Sequence, residues 1–258
     1  MSMLFNLARM ARERRNRKEL YCTSGYWDSK ARDHDGNAVS MWQNETLNRL
    51  YDQEQKDLIN RLFGDLSGVA LLDLGCGTGR HSRSFAAQGA IVSGLDFSKS
   101  ALAIAERLST GPNPVYRDGS LFDLTDETAY DAVFTWGVLA FACITKEELR
   151  EALTRIRRAL RAHGRLLLME PIHSGFLRRV LKLTLAEYLN VMREAGLCVQ
   201  SVAPLHFWPT RLILCYVSWP AWITVPLYHL GQTLMRVPGL ARMADYWAIL
   251  ATPARSEV

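Results

Sequence analysis

The feature that most constrains this chain is a regular exchange of short apolar runs and amphipathic helical patterns between about residues 69 and 200. Residues 69–74 are an apolar run ending in Asp73-Leu74-Gly75, and a helical pattern follows over about 79–88. Residues 91–96 predict a second strand. Ser98 then supplies an N-cap for a helix in which Leu102, Ile104, Ala105 and Leu108 share one face. Residues 115–117 and 131–136 predict the third and fourth strands. Thr145 and Glu148 form a capping-box pair opening a helix that is expected to run to about Ala162 and to end at Gly164. Residues 165–170 predict the fifth strand. Thr184 with Glu187 opens a further helix ending at Gly196, and residues 197–203 and 246–251 predict two more strands. Strands that alternate with helices build a largely parallel sheet covered on both faces, so the fold class is α/β.

Two segments stand outside the alternation. Residues 1–68 predict a basic tail and a helical cap, since Leu47, Leu50, Tyr51, Leu58, Ile59, Leu62 and Phe63 keep a helical rhythm. Residues 69–258 form the α/β domain, with residues 204–244 as an apolar insert between the last two strands. From Leu212 to Met235, 24 residues pass without an Asp, Glu, Lys or Arg. That length raises a membrane span, but Pro220, Pro226, His229, Gly231 and Gln232 interrupt it. Trp208, Tyr216, Trp219, Trp222 and Tyr228 are side chains of the kind that collects at membrane–water interfaces. A membrane-facing insert, a lid and a dimer interface all stay open.

Charge sharpens this picture. The chain carries a net +5, yet six basic residues against two acidic ones in residues 1–20 already give +4, leaving +1 for the rest. The basicity belongs to a tail, and residues 1–18 with 204–235 point to a membrane surface more than to nucleic acid. Cys22, Cys76, Cys143, Cys198 and Cys215 are odd in number and form no C-x-x-C pair, so no metal site or disulfide framework follows. A reducing compartment is expected: cytoplasmic, peripheral on the inner membrane face. The first twenty residues have no apolar signal-peptide core.

The sharpest local signal is Asp73-Leu74-Gly75-Cys76-Gly77-Thr78-Gly79-Arg80, placed where a strand hands over to a helix. Ligands bind at that edge of open α/β sheets. A dinucleotide site would want glycine or alanine where Arg80 stands, and the P-loop lysine is missing. The run resembles the first motif of class I S-adenosylmethionine-dependent methyltransferases, of the small-molecule, ubiquinone-biosynthesis-like type. Asp96 ending the second strand, Asp118-Gly119 after the third, residues 130–134 and residues 158–166 resemble the family's later motifs in order. The resemblance implies a Rossmann-like, seven-stranded, mostly parallel sheet with one antiparallel strand. It also implies S-adenosyl-L-methionine as cofactor. Asp96 would hold the ribose hydroxyls, Asp118 the adenine amino group, and the Gly119 amide the ring. Gly75, Cys76, Gly77 and Gly79 would cradle the cofactor, with Asp73 near its amino end, Phe97 against the adenine and Trp136 beside the methionine.

Methyl transfer to a hydroxyl also needs a base, and a histidine near the carboxyl edge of the sheet suits that task. His173, just beyond the fifth strand, is the first candidate and His34 in the cap the second. The fourth strand leads into Thr135-Trp136-Gly137-Val138, not into the [DN]-P-P-[FY] signature of amino-directed adenine methyltransferases. The expected substrate is therefore a hydroxyl or amine on a small-molecule acceptor, lipid-linked and glycan forms included. RNA methylation and non-catalytic cofactor binding are the alternatives.

Overall fold

A computed structural model describes residues 20–34 and 42–254, apart from 174, 176, 178 and 179. The strands are β1 (Ala70–Leu74), β2 (Ile91–Asp96), β3 (Val115–Asp118), β4 (Tyr130–Trp136), β5 (Leu160–Glu170), β6 (Leu197–Phe207) and β7 (Ala244–Pro253). They form one sheet in the order β3-β2-β1-β4-β5-β7-β6. β7 runs antiparallel to both β5 and β6, and the other neighbours are parallel. The central strands are apolar along their length because both faces are covered. Leu72, Val133, Leu166 and Leu168 face a core built with Leu149, Leu153, Ile156 and Tyr188, while Leu71, Phe134, Leu167 and Met169 face another built with Ile59, Phe63 and Phe85.

The helices are α1 (Ser24–His34), α2 (Glu45–Phe63), α3 (Arg80–Ala87), α4 (Lys99–Leu108), α5 (Leu139–Ala142), α6 (Lys146–Ala159), α7 (Leu185–Glu194), α8 (Trp208–Leu214) and α9 (Ala221–Met235). Both expected capping boxes are formed, Thr145 with Glu148 at α6 and Thr184 with Glu187 at α7. Ser98 caps α4 by accepting the Ala101 N–H at 3.2 Å.

Two boundaries depart from the sequence expectation. α6 ends at Ala159, not at Ala162, because its last carbonyls are taken by other segments. The Arg158 and Ala159 carbonyls accept the N–H groups of Thr128 and Ala129 at 2.8 and 2.9 Å. Leu160 already pairs with Tyr130, and Gly164 sits in a tight excursion of β5 before Arg165 pairs with Ala132. β6 likewise continues through Phe207 by pairing with Ala244, so the insert begins at Trp208 and not at residue 204. α9 runs unbroken through Pro226. Among the described residues, no helix is long and apolar enough to cross a membrane. Residues 1–18 lie outside the described residues.

Candidate active site

The carboxyl ends of β1, β2 and β4 open into a cavity of about 400 Å³. The turn after β1 forms one wall. Gly75 and Gly77 both adopt left-handed backbone, with φ 71° and 53°. A Cβ on Gly75 would stand 2.3 Å from the Val138 side chain, whereas one on Gly77 would meet no atom within 4 Å. Gly77 therefore leaves open space on the cavity side, the room a ligand needs for close approach to backbone.

Asp96 ends β2 at 9% exposure. Its two carboxylate oxygens each accept a backbone N–H at 2.8 Å, from Gly77 and from Ser98. Burial raises its pKa. A carboxylate has about four acceptor positions, so both oxygens retain capacity for a vicinal diol. Phe97, Gly119 and Phe122 line the same cavity. Asp73 is buried under the turn and accepts the Ser82 hydroxyl at 2.5 Å, with burial pushing it up to about 6. Cys76 lines the same wall, and burial raises its thiol.

The cap closes this end. Asp28 of α1 accepts from the Ser98 hydroxyl at 2.7 Å and the Ser100 N–H at 3.0 Å. These bonds clamp α1 onto the start of α4 and bring Tyr21, Trp27 and Lys30 to the cavity. Glu170, at the end of β5, holds the opposite wall. It accepts from the Thr135 hydroxyl and from the N–H groups of Val138, Leu139 and Ala140, all at 3.0–3.2 Å. Burial pushes it up to about 7.

The far end of the cavity is aromatic and polar together. Trp136 stacks on Tyr246 with centroids 4.7 Å apart and planes within 6°. His206, next to the end of β6, stacks on Tyr51 at 3.8 Å. Arg211 of α8 pairs with Asp245 of β7, Nε to Oδ2 at 2.7 Å, and both are buried. His206, Arg211, Asp245 and Tyr246 all line the cavity.

Most of the sequence-predicted cofactor residues meet here: Asp73, Gly75, Cys76, Gly77, Asp96, Phe97, Gly119 and Trp136. Gly79 does not line the cavity. A Cβ there would stand 2.3 Å from the Tyr116 hydroxyl, so its glycine serves helix–sheet packing. The Asp118 carboxylate also lies off the wall, half exposed and paired with the Lys99 ammonium at 3.4 Å. His173 is likewise held away from the wall. Its Nε2 faces two acceptors, the Asp245 carbonyl at 2.8 Å and the Asp245 carboxylate at 3.2 Å, so that nitrogen carries the hydrogen. The side chain of His34 lies outside the described residues. The residues that sequence reasoning missed are His206, Arg211 and Asp245.

A buried carboxylate with free acceptor capacity, beside an open glycine turn and two aromatic rings of the cavity lining, fits a nucleoside bearing a ribose diol. The fold is the Rossmann-like one of S-adenosylmethionine-dependent methyltransferases, with the same mixed seven-stranded sheet. Residues 71–164 match the family model described as a methyltransferase domain. The chain is 29% identical over 170 residues to the mitochondrial ubiquinone biosynthesis O-methyltransferase of Schizosaccharomyces pombe, covering 61% of this chain and 60% of that one. It is 31% identical over 121 residues to the demethylmenaquinone methyltransferase of Clavibacter sepedonicus, covering 46% and 48%. Such matches span about half to three-fifths of the curated relatives' own lengths. The magnesium protoporphyrin IX methyltransferase of Synechocystis PCC 6803 shares the fold at TM-score 0.61 and 17% identity, covering 89% of this chain and 97% of that one. A [4+2]-cyclase shares it at TM-score 0.61 and 18% identity, covering 89% and 96%, so the fold alone does not define the chemistry.

Proposed function

We propose that this chain is an S-adenosylmethionine-dependent methyltransferase that methylates a hydroxyl or amine of a small-molecule acceptor. The observation that carries the reading is the continuity of one cavity, from Asp96 and the glycine turn to the His206 and Arg211 end. S-adenosylmethionine would supply an electrophilic methyl group. The protein's own part is alignment and exclusion of water. Asp96 holds the diol, the Asp28 clamp covers it, and Glu170 fixes the wall formed by residues 138–140. The names of the ubiquinone and menaquinone relatives support a small organic acceptor over a nucleic acid. The test is calorimetric titration with S-adenosylmethionine, followed by incubation with the methyl-labelled compound and lysate separated into lipid, glycan, RNA and protein pools. Label should enter a lipid, glycan or other small-molecule pool, and Asp96→Ala should weaken cofactor binding at least tenfold. Unaltered binding in that variant, or label confined to RNA, overturns the proposal.

We also infer that the insert rests on a membrane surface from the cytoplasmic side. Ile213, Val217, Trp222, Leu230 and Val237 expose large apolar side chains along it, Trp222 by 76%. Such a face gains about 25 cal/mol for each Å² removed from water. Flotation with anionic liposomes should carry the protein upward, and Trp222→Ser should reduce the bound fraction. Equal flotation of both forms counts against the inference.

A further inference from the structure

Resting on the methyltransferase reading above, we propose that His206 is the base that takes the acceptor's proton, oriented by Glu54, and that the acceptor atom is therefore a hydroxyl oxygen. Three independent features of the structure meet at this residue.

The first is its backbone. His206 has φ 57°, one of two non-glycine residues with positive φ among those described. The left-handed region is strained for an L-residue, and such strain persists where the surroundings hold it, commonly at functional sites. Here it turns the strand end so that the ring joins the cavity wall.

The second is confinement of the ring. Tyr51 stacks on it at 3.8 Å, Tyr246 meets it edge-on at 5.5 Å, and Trp136 lies at 5.9 Å. Nε2 makes no hydrogen bond and stands 3.8 Å from the Glu54 carboxylate. Glu54 also accepts the His206 backbone N–H, so one carboxylate faces both the main chain and the ring. With Nε2 turned to Glu54, Nδ1 is the ring's acceptor for a substrate hydroxyl.

The third is the charge state. Burial pulls the imidazole down to about 3, so the resting ring is neutral, and it gains its proton only in the step that discharges the sulfonium beside it. Burial pushes Glu54 up to about 7, against the opposing bond from Tyr228. The other titratable groups around the ring are Arg80, Arg211 and Asp245, with the phenols of Tyr51 and Tyr246. A lone imidazolium would be costly in so dry a site, and the facing carboxylate offsets that cost.

The step balances. The acceptor hydroxyl gives its proton to Nδ1, and the oxygen forms the new bond to the methyl carbon. The carbon–sulfur bond of the cofactor breaks, with its electron pair staying on sulfur. The sulfonium charge is thereby discharged, and one positive charge appears on His206 opposite Glu54. A neutral amine acceptor attacks through its own lone pair and needs no such base, which is why the arrangement selects a hydroxyl.

The test uses the full chain. His206→Asn is chosen because Asn tolerates left-handed backbone. It should bind S-adenosylmethionine within about twofold of the unaltered protein by calorimetry. Its methyl transfer to the accepting lysate pool should fall about 100-fold or more at pH 7, the range expected for loss of a general base. The deficit should shrink between about pH 7 and pH 9.5 as the acceptor ionises unaided, a trend that a merely structural role does not produce. Glu54→Gln, which keeps an oxygen acceptor for the His206 N–H, should lower transfer about tenfold with cofactor affinity retained. Independently of turnover, ¹⁵N NMR of the imidazole, assigned by difference with His206→Asn, should show a neutral ring with hydrogen on Nε2 at pH 7. Full transfer by His206→Asn, a deficit constant with pH, or an imidazolium at pH 7 overturns the assignment while leaving the methyltransferase reading intact. Cofactor binding without transfer to any pool by the unaltered protein overturns that reading first, and this inference with it.

Discussion

Gly77 and Gly79 stand two residues apart in one turn, and both have positive φ. Their surroundings differ: Gly77 faces the open cavity, while Gly79 is pressed against Tyr116 of β3 and Ala105 of α4. Gly79→Ala therefore meets a left-handed backbone and a 2.3 Å clash with the Tyr116 hydroxyl at once. Its cost should be about 2–4 kcal/mol of unfolding free energy, combining the conformational penalty with overpacking. Tyr116→Phe removes the closest atom, so Gly79→Ala/Tyr116→Phe should be less destabilised than the two single effects added together. Urea unfolding of the four proteins gives the coupling directly. Simple additivity would mean that the clash is relieved elsewhere and that packing does not fix the third glycine.

Among the elements, α2 is the one whose role was least visible in its own pattern. Its apolar stripe lies on the sheet through Leu58, Ile59 and Phe63, while its start joins the insert. Asn44 caps it by accepting the Leu47 N–H at 3.1 Å and donates to Thr224 at 2.9 Å and to the Leu214 carbonyl at 3.2 Å. Glu54, further along α2, accepts the Tyr228 hydroxyl of α9 at 3.0 Å. Its pKa of about 7 in the folded chain lies above its ordinary 4.5, chiefly through burial. A carboxyl raised on folding binds its proton more tightly in the folded state. Its contribution to stability is complete below about pH 4.5 and is lost as pH rises through about 7. The fall is on the order of 3 kcal/mol, at 1.36 kcal/mol per pH unit. Glu54→Gln keeps an acceptor for Tyr228 and should flatten that part of the stability curve between pH 4.5 and 8. A curve of unchanged slope in this variant would place the titration elsewhere. The helices and strands themselves were largely legible in the sequence, because caps and apolar periods are local signals. Ser98, Thr145 and Thr184 mark three helix starts by side-chain bonds to their own first turns. The end of α6 was not legible, since carbonyls there are claimed by residues 128 and 129, some thirty positions earlier in the chain.

Across the whole molecule, the Asp96 end of the cavity could be read in the sequence and the His206 end could not. Asp73, Gly75, Gly77 and Asp96 come from two successive strand ends, so their order along the chain nearly gives their arrangement. His206, Arg211 and Asp245 converge only because β7 inserts between β5 and β6, and because the insert folds back between β6 and β7. The Arg211–Asp245 pair joins that insert to the sheet, at exposures of 2% and 0%. Trp42 lies against the guanidinium at 5.1 Å and His173 donates to Asp245 from the other side. A buried pair is weak evidence for stability as such, but removing one member leaves an uncompensated charge. Asp245→Ala should therefore cost about 3–5 kcal/mol, while Arg211→Met/Asp245→Ala should cost clearly less than Asp245→Ala alone. Because the same residues line the cavity and anchor the insert, the loss should appear as one cooperative urea transition at a lower midpoint. Fluorescence from the insert's tryptophans and far-ultraviolet circular dichroism should follow it together. Two separated transitions in the unaltered protein would show the insert to be an independent unit, and the His206 end of the cavity would then lack the rigid support of the ion pair.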